Sequence, residues 1–164
     1  MQKGDKAVGF QAFLFIYEGN TTGSILGTFS YNISDKVKLT MGPSITISSS
    51  SVTTTDIYGR TKTETEVTAS VGSSFLGEYY FSTKSKLSPF VLAGIYWPDF
   101  GESTKALVTG PGINYFISKN VSWKSNWELG AMFIPGVTVV GSTVESESST
   151  VFFTMFNTGL EFRF

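Results

Sequence analysis

The stretch Phe152–Phe164, FFTMFNTGLEFRF, alternates up to its last residue. Phe152, Thr154, Phe156, Thr158, Leu160, Phe162 and Phe164 share one parity, and Phe153, Met155, Asn157, Gly159, Glu161 and Arg163 share the other. Period-two alternation marks a β-strand whose two faces meet different surroundings. At about 3.3 Å per residue the stretch spans roughly 40 Å, against roughly 17–20 Å for an ordinary globular strand. Such a strand suits a large barrel or a tilted membrane crossing, and its apolar end implies a terminus that is held in place.

Working backwards, turn residues divide the chain into seven further extended segments and leave no helical period. Ala7–Tyr17 sets Val8, Phe10, Ala12, Leu14 and Ile16 against Gly9 and Gln11, and Ser24–Ile33 follows with Ile25, Phe29 and Tyr31 on one face. Val37–Ser48 is the clearest, with Leu39, Met41, Pro43 and Ile45 opposing Lys38, Thr40, Gly42 and Ser44. In Val67–Phe81, Val71, Phe75 and Tyr79 oppose Gly72, Ser74 and Glu78. Leu107–Tyr115 and Val121–Phe133 repeat the pattern, the latter with Trp123, Trp127 and Leu129 against Lys124, Asn126 and Glu128. PFVLAGIYW, residues 89–97, is apolar on both parities, and its facing is open.

Short turns, SDK at 34–36, STKSKLS at 82–88 and SKN at 118–120, alternate with longer polar connections. The expected fold is all-β, an eight-stranded antiparallel up-and-down barrel occupying 1–164 as one domain, with 1–5 a short tail. The Ser/Thr-rich run from Ser49 to Thr65 and the stretch PGVTVVGSTVESESST at 135–150 are expected as loops. Pro43 and Pro111 lack a ladder donor, so a bulge is expected at each Gly-Pro pair.

Composition narrows the setting. In 164 residues, 15% are charged, below the usual quarter or so, and 15% are aromatic. No apolar run is long enough for a membrane helix. The 12 basic and 13 acidic side chains, net −1, give no footprint for nucleic acid. There is no cysteine and no histidine, so disulfides and thiolate sites are out, and no cofactor is implied. MQKGDKAVGF has no apolar leader, so secretion would require a signal peptide absent from this chain.

The polar faces decide which way the barrel is turned. They hold mainly Gly, Ser, Thr and Asn, which suit a narrow lumen better than a water-exposed surface, while the apolar parities carry no charge, as lipid demands. Aromatic residues gather near strand ends, with Tyr31, Tyr79, Phe81, Tyr115, Trp123 and Phe164 toward the tight turns and Tyr17, Tyr96, Trp97, Phe133 and Phe152 toward the loops. Two aromatic belts match the two interfaces of a bilayer.

FLGEYYF (75–81), SPFVLAGIYW (88–97), GPGINYFISKNVSW (110–123) and TGLEFRF (158–164), in that order and spacing, resemble the small outer-membrane β-barrel proteins of Gram-negative bacteria, the OmpA/OmpX-like class. The resemblance implies a monomer among outer-membrane lipids, with periplasmic termini and external loops. It also implies that Leu160, Phe162 and Phe164 form the signal read by the outer-membrane assembly machinery. The enzymes of that family depend on histidine, which this chain lacks.

Six charges fall on inward parities: Lys38, Lys124 and Arg163 against Glu78, Glu128 and Glu161. Paired carboxylates could serve glycoside hydrolysis, but three bases beside three acids point to ion pairing, since an unpaired buried charge is costly. Counting inward from the tight-turn end pairs Lys124 with Glu161. The functional expectation is a non-enzymatic structural or surface-interaction barrel whose lumen is filled by side chains and whose external ligand is unknown. The alternatives are a small channel and a soluble lipocalin-like carrier of an apolar ligand.

Overall fold

The computed structural model describes residues 2–17, 20–55, 58, 60–83, 85–98, 104–140 and 143–164, with strand side chains undescribed at 14–17, 20–21, 50–55, 136–140 and 143–147. Eight strands follow one another: β1 Lys6–Tyr17, β2 Asn20–Asn32, β3 Val37–Thr55, β4 Thr61–Tyr80, β5 Leu87–Trp97, β6 Lys105–Phe116, β7 Val121–Val140 and β8 Thr143–Arg163. Each pairs antiparallel with its sequence neighbour, and β1 pairs with β8, so the sheet closes into a barrel. Closure sets Ala7 opposite Arg163, and the Phe164 N–H donates to the Lys6 carbonyl at 3.1 Å.

The burial pattern is inverted relative to a water-soluble protein. In β6, Leu107, Ile113 and Tyr115 face outward at 43–50% exposure, while Val108 and Asn114 are buried inside. Outward residues such as Ile25, Ile45, Phe75, Trp127 and Leu129 continue this band around the barrel. Soluble monomers rarely expose a contiguous apolar patch beyond a few hundred Å², so the band is a lipid-facing surface. This removes the soluble carrier reading. Polar groups on the band find partners: Trp123 Nε1 donates to Thr158 Oγ1 at 2.6 Å, and Trp127 Nε1 donates to Thr154. In hydrocarbon those hydroxyls would otherwise go unmet by water.

β5 is resolved by its neighbours. Ser88, Phe90, Leu92 and Tyr96 point inward and are buried, and Leu87 and Val91 point outward. Tyr96 therefore leaves the outer aromatic belt in which the sequence had placed it. Phe90, Leu92 and Tyr96 join Leu26, Leu76, Tyr80, Ala106, Val108 and Met155 in an apolar cluster within the lumen. The inner face is thus less uniformly small and polar than the sequence implied.

Two expected loops are mostly strand among the described residues, 56, 57, 59, 141 and 142 lying outside them. A membrane crossing takes about 9–11 residues, whereas β3, β4, β7 and β8 have 19, 20, 20 and 21. The Ser/Thr-rich run continues the β3–β4 ladder from Ser49↔Val67 to Thr55↔Thr61, and β7–β8 pairing runs on to Val140↔Thr143. Both arms rise past the ends of their other neighbours: β4 pairs with β5 only from Ser73 to Tyr80. Residues 61–69 of the first arm are exposed on both faces. With no core on either side there is no hydrophobic alternation to read, and the segment looks like a loop.

The expected bulges are absent. Between β2 and β3 the ladder drops out over Gly27–Thr28 and Gly42–Pro43, yet Leu26↔Ser44 and Phe29↔Met41 keep one register, so no residue is inserted. The same happens beside Gly110–Pro111, between Thr109↔Leu129 and Gly112↔Asn126. Each proline's other neighbour stays in register, Pro43 with Ser73 and Pro111 with Val91. The missing donor falls where the ladder opens. The glycines explain the opening, because a Cβ at Gly42 would lie 1.7 Å from the Gly27 oxygen and one at Gly110 1.8 Å from the Trp127 oxygen. The sheet bends so sharply there that a neighbouring carbonyl occupies the side-chain position.

Candidate functional site

The inward parities of β3, β4, β7 and β8 bring five of the six predicted charges into one cluster toward the tight-turn end. Glu78 is its centre. Its Oε1 accepts from Lys124 Nζ at 2.5 Å and Thr40 Oγ1 at 2.7 Å, and its Oε2 accepts from Tyr80 OH at 2.8 Å and lies 3.1 Å from Lys38 Nζ. Lys38 Nζ also donates to Glu161 Oε2 at 2.5 Å, and Glu161 Oε1 lies 3.4 Å from Arg163 Nε. Charges thus alternate along Lys124, Glu78, Lys38, Glu161 and Arg163. All but Arg163 are nearly inaccessible, at 1–4%.

Aromatic rings line the same space. Lys38 Nζ sits 5.5 Å from the Tyr80 ring centroid, Lys124 Nζ 5.1 Å from Phe90, and the Arg163 guanidinium 4.0 Å from Phe116. Cations facing ring quadrupoles in a dry site gain attraction beyond their ion pairs. Parity alone could not reveal the Lys124–Phe90 contact, because Phe90 lies on the strand of undecided facing.

The Lys124–Glu161 pair expected from counting is not formed. The β7–β8 register places Ser122 opposite Glu161 and Lys124 opposite Gly159, two residues away from the count. Lys124 instead reaches across the lumen from β7 to Glu78 on β4, and Lys38 from β3 to Glu161 on β8. In so narrow a barrel, opposite walls lie within one side chain's reach.

Glu128 stands apart. Its Oε1 accepts from Asn126 Nδ2 at 2.5 Å, Asn157 Nδ2 at 2.7 Å and Tyr96 OH at 3.3 Å, and its Oε2 has no partner among the described residues. No cation lies within ion-pair distance of it among the described residues. The expected match of three bases to three acids is therefore three bases to two acids, with the third acid held by two neutral amides and a phenol. The described residues contain no group of three or more His, Cys, Asp or Glu side chains that could hold a metal ion.

Leu160 and Phe162 lie on the outward parity of β8 and Phe164 continues it one residue past the strand's end, with Phe162 41% and Phe164 71% exposed. They face the lipid side, away from the charges.

No family model matches the chain, and no curated protein is similar to it in sequence. Solved structures are more informative. A de novo designed transmembrane β-barrel superposes with a TM-score of 0.60 at 13% identity, covering 100% of this chain and 98% of that one. The fold is that of the small transmembrane β-barrels. The outer membrane protein OprG of Pseudomonas aeruginosa gives 0.57 at 14% identity, covering 99% and 97%. The N-terminal β-barrel domain of OprF from the same organism gives 0.52 at 16%, covering 99% and 100%. These small transmembrane barrels share an architecture with the chain at identities too low to carry a role across.

Proposed function

We propose that the protein is a non-enzymatic, monomeric outer-membrane barrel with a structural or surface-interaction role. Its termini and tight turns are periplasmic, its two long arms are external, and its luminal side chains block passive flow. The observation that carries this reading is the closed barrel with an apolar outer band around a buried ionic chain, an arrangement stable only with lipid outside. The neighbourhood of OprF and OprG supports the outer membrane as the location. Leu160, Phe162 and Phe164 are the proposed contact for the assembly machinery, by the resemblance of the last strand.

Refolding into phospholipid vesicles tests the crossing: a heat-modifiable band on unboiled gels is expected, and solubility without detergent would refute it. Planar-bilayer recording tests the blocked lumen. Steady unit conductance from the folded protein would replace this reading with the small-channel one.

A further inference from the structure

The molecule is electrically lopsided along the barrel axis. The tail and tight turns (1–6, 33–36, 81–86 and 117–120) contain six lysines, Lys3, Lys6, Lys36, Lys84, Lys86 and Lys119, against two carboxylates, Asp5 and Asp35. The opposite connections and arms (18–20, 49–66, 98–105 and 134–150) contain eight carboxylates against Arg60, Lys62 and Lys105. The lumen takes the remaining three of each sign, so by sequence the first set of segments totals +4 and the second −5; Glu18, Asp56, Asp99 and Glu102 lie outside the described residues.

The turn-end carboxylates are occupied by backbone. Asp5 accepts from the Gln2 N–H at 2.7 Å and Asp35 from the Lys3 N–H at 3.0 Å. Lys3, Lys6, Lys36, Lys86 and Lys119 are exposed, and among the described residues none is in an ion pair; Lys84 lies outside them. They are spread around the rim: Lys6 opens β1, Lys36 sits in the β2–β3 turn, Lys86 precedes β5 and Lys119 sits in the β6–β7 turn. A recess of about 660 Å³ beside them is lined by Lys86, Lys119, Arg163, Ser118, Asn120 and Asp5, among others.

Depth points to the partner. Immediately inside this rim lie the outward rings of Tyr31, Tyr79, Phe81, Tyr115 and Trp123, 41–57% exposed, and Lys6 is directly opposite Tyr31 in the ladder. Such rings settle at the boundary of hydrocarbon and headgroups. Lysines level with these rings, as Lys6 is, or a few residues further out extend their ammonium groups to the depth of the lipid phosphates.

We propose that the tight-turn rim is a binding belt for the phosphate groups of an anionic phospholipid leaflet, with Lys6, Lys36, Lys86 and Lys119 as its contacts. The belt rests on the membrane crossing proposed above. It holds the basic end against the anionic leaflet and leaves the acidic arms on the other side, since clustered lysines are drawn to anionic headgroups within a Debye length.

The test uses Trp97→Phe/Trp127→Phe protein, in which Trp123 is the sole indole, refolded into phosphatidylcholine vesicles carrying brominated phosphatidylglycerol or brominated phosphatidylcholine. Quenching of Trp123 should show phosphatidylglycerol preferred by about five-fold at low salt, falling toward unity at high salt as exposed charges are screened. The same loss is expected in Lys6→Gln/Lys36→Gln/Lys86→Gln/Lys119→Gln at low salt. Equal quenching by both lipids in folded protein overturns the belt alone. Inorganic phosphate abolishing the preference where chloride of equal ionic strength does not would make the rim a free-phosphate site, and that also overturns the belt. Quenching by neither lipid would refute the membrane crossing, and the belt with it.

Discussion

Glu78→Gln is the sharpest probe of the luminal chain. The side chain keeps its shape, and the amide oxygen can still accept from Thr40 or Tyr80, which lie 2.7 and 2.8 Å from the carboxylate. What disappears is charge. Lys38 retains Glu161 at 2.5 Å, but Lys124 loses the one carboxylate within ion-pair distance among the described residues. Lys124 is 2% exposed, so water cannot take over. Stranding a buried charge in this way costs about 3–5 kcal/mol. Removing the stranded charge in Glu78→Gln/Lys124→Met should recover a large part of the loss, with a coupling of about 2–3 kcal/mol in the double-mutant cycle. Glu128→Gln is the internal control: its three donors are neutral and all reach Oε1, which an amide oxygen can replace, so the expected loss is below about 1.5 kcal/mol. Urea unfolding in phospholipid vesicles, followed by tryptophan fluorescence, measures the wild type, these three variants and Lys124→Met, the remaining corner of the cycle. A Glu78→Gln cost equal to that of Glu128→Gln would refute the assignment of the ionic chain.

Three further outcomes are expected. Gly110→Ala, whose Cβ would lie 1.8 Å from the Trp127 oxygen, should abolish the heat-modifiable band, while Gly77→Ala, with nothing nearer than 3.8 Å, should leave it unchanged. Deleting Phe164 should lower barrel yield in cells far more than it lowers the stability of refolded protein, since its ring is 71% exposed and lipid burial returns at most about 1.5–3 kcal/mol; unaffected yield in cells would disprove the assembly role. Protease added to intact cells displaying the protein should cut the β3–β4 arm within 49–66 while the barrel stays folded, because that arm extends past the pairing limits of β2 and β5; resistance would count against an external arm.

The fold was legible wherever one face met lipid and the other a polar lumen, because only that contrast writes a period of two into the sequence. It failed where that contrast vanished, in two ways. Along Pro89–Trp97 both faces are apolar, since Phe90, Leu92 and Tyr96 pack within the lumen, and parity has nothing to distinguish. Along the β3–β4 arm both faces meet water, and the alternation fades although the ladder continues to Thr55↔Thr61. Which charges face inward could be read from parity, but which charges meet could not. Pairing across the lumen depends on the register of every seam between the two strands; along the β7–β8 seam Lys124 lies two residues from the partner of Glu161, and it meets Glu78 instead.

The eight seams also differ in when they can be made. Seven join strands that follow one another, so each can begin as a local hairpin with little loop to close. The eighth brings Ala7 to Arg163 and Leu14 to Phe156, across nearly the whole chain. Until it forms, β1 and β8 each present a row of unmatched N–H and C=O groups. In hydrocarbon every such group carries a penalty of several kcal/mol. An open sheet inside the bilayer therefore lies far above both the finished barrel and a sheet still at the water interface. Crossing the membrane and sealing the last seam must coincide, and no stable half-inserted form separates them.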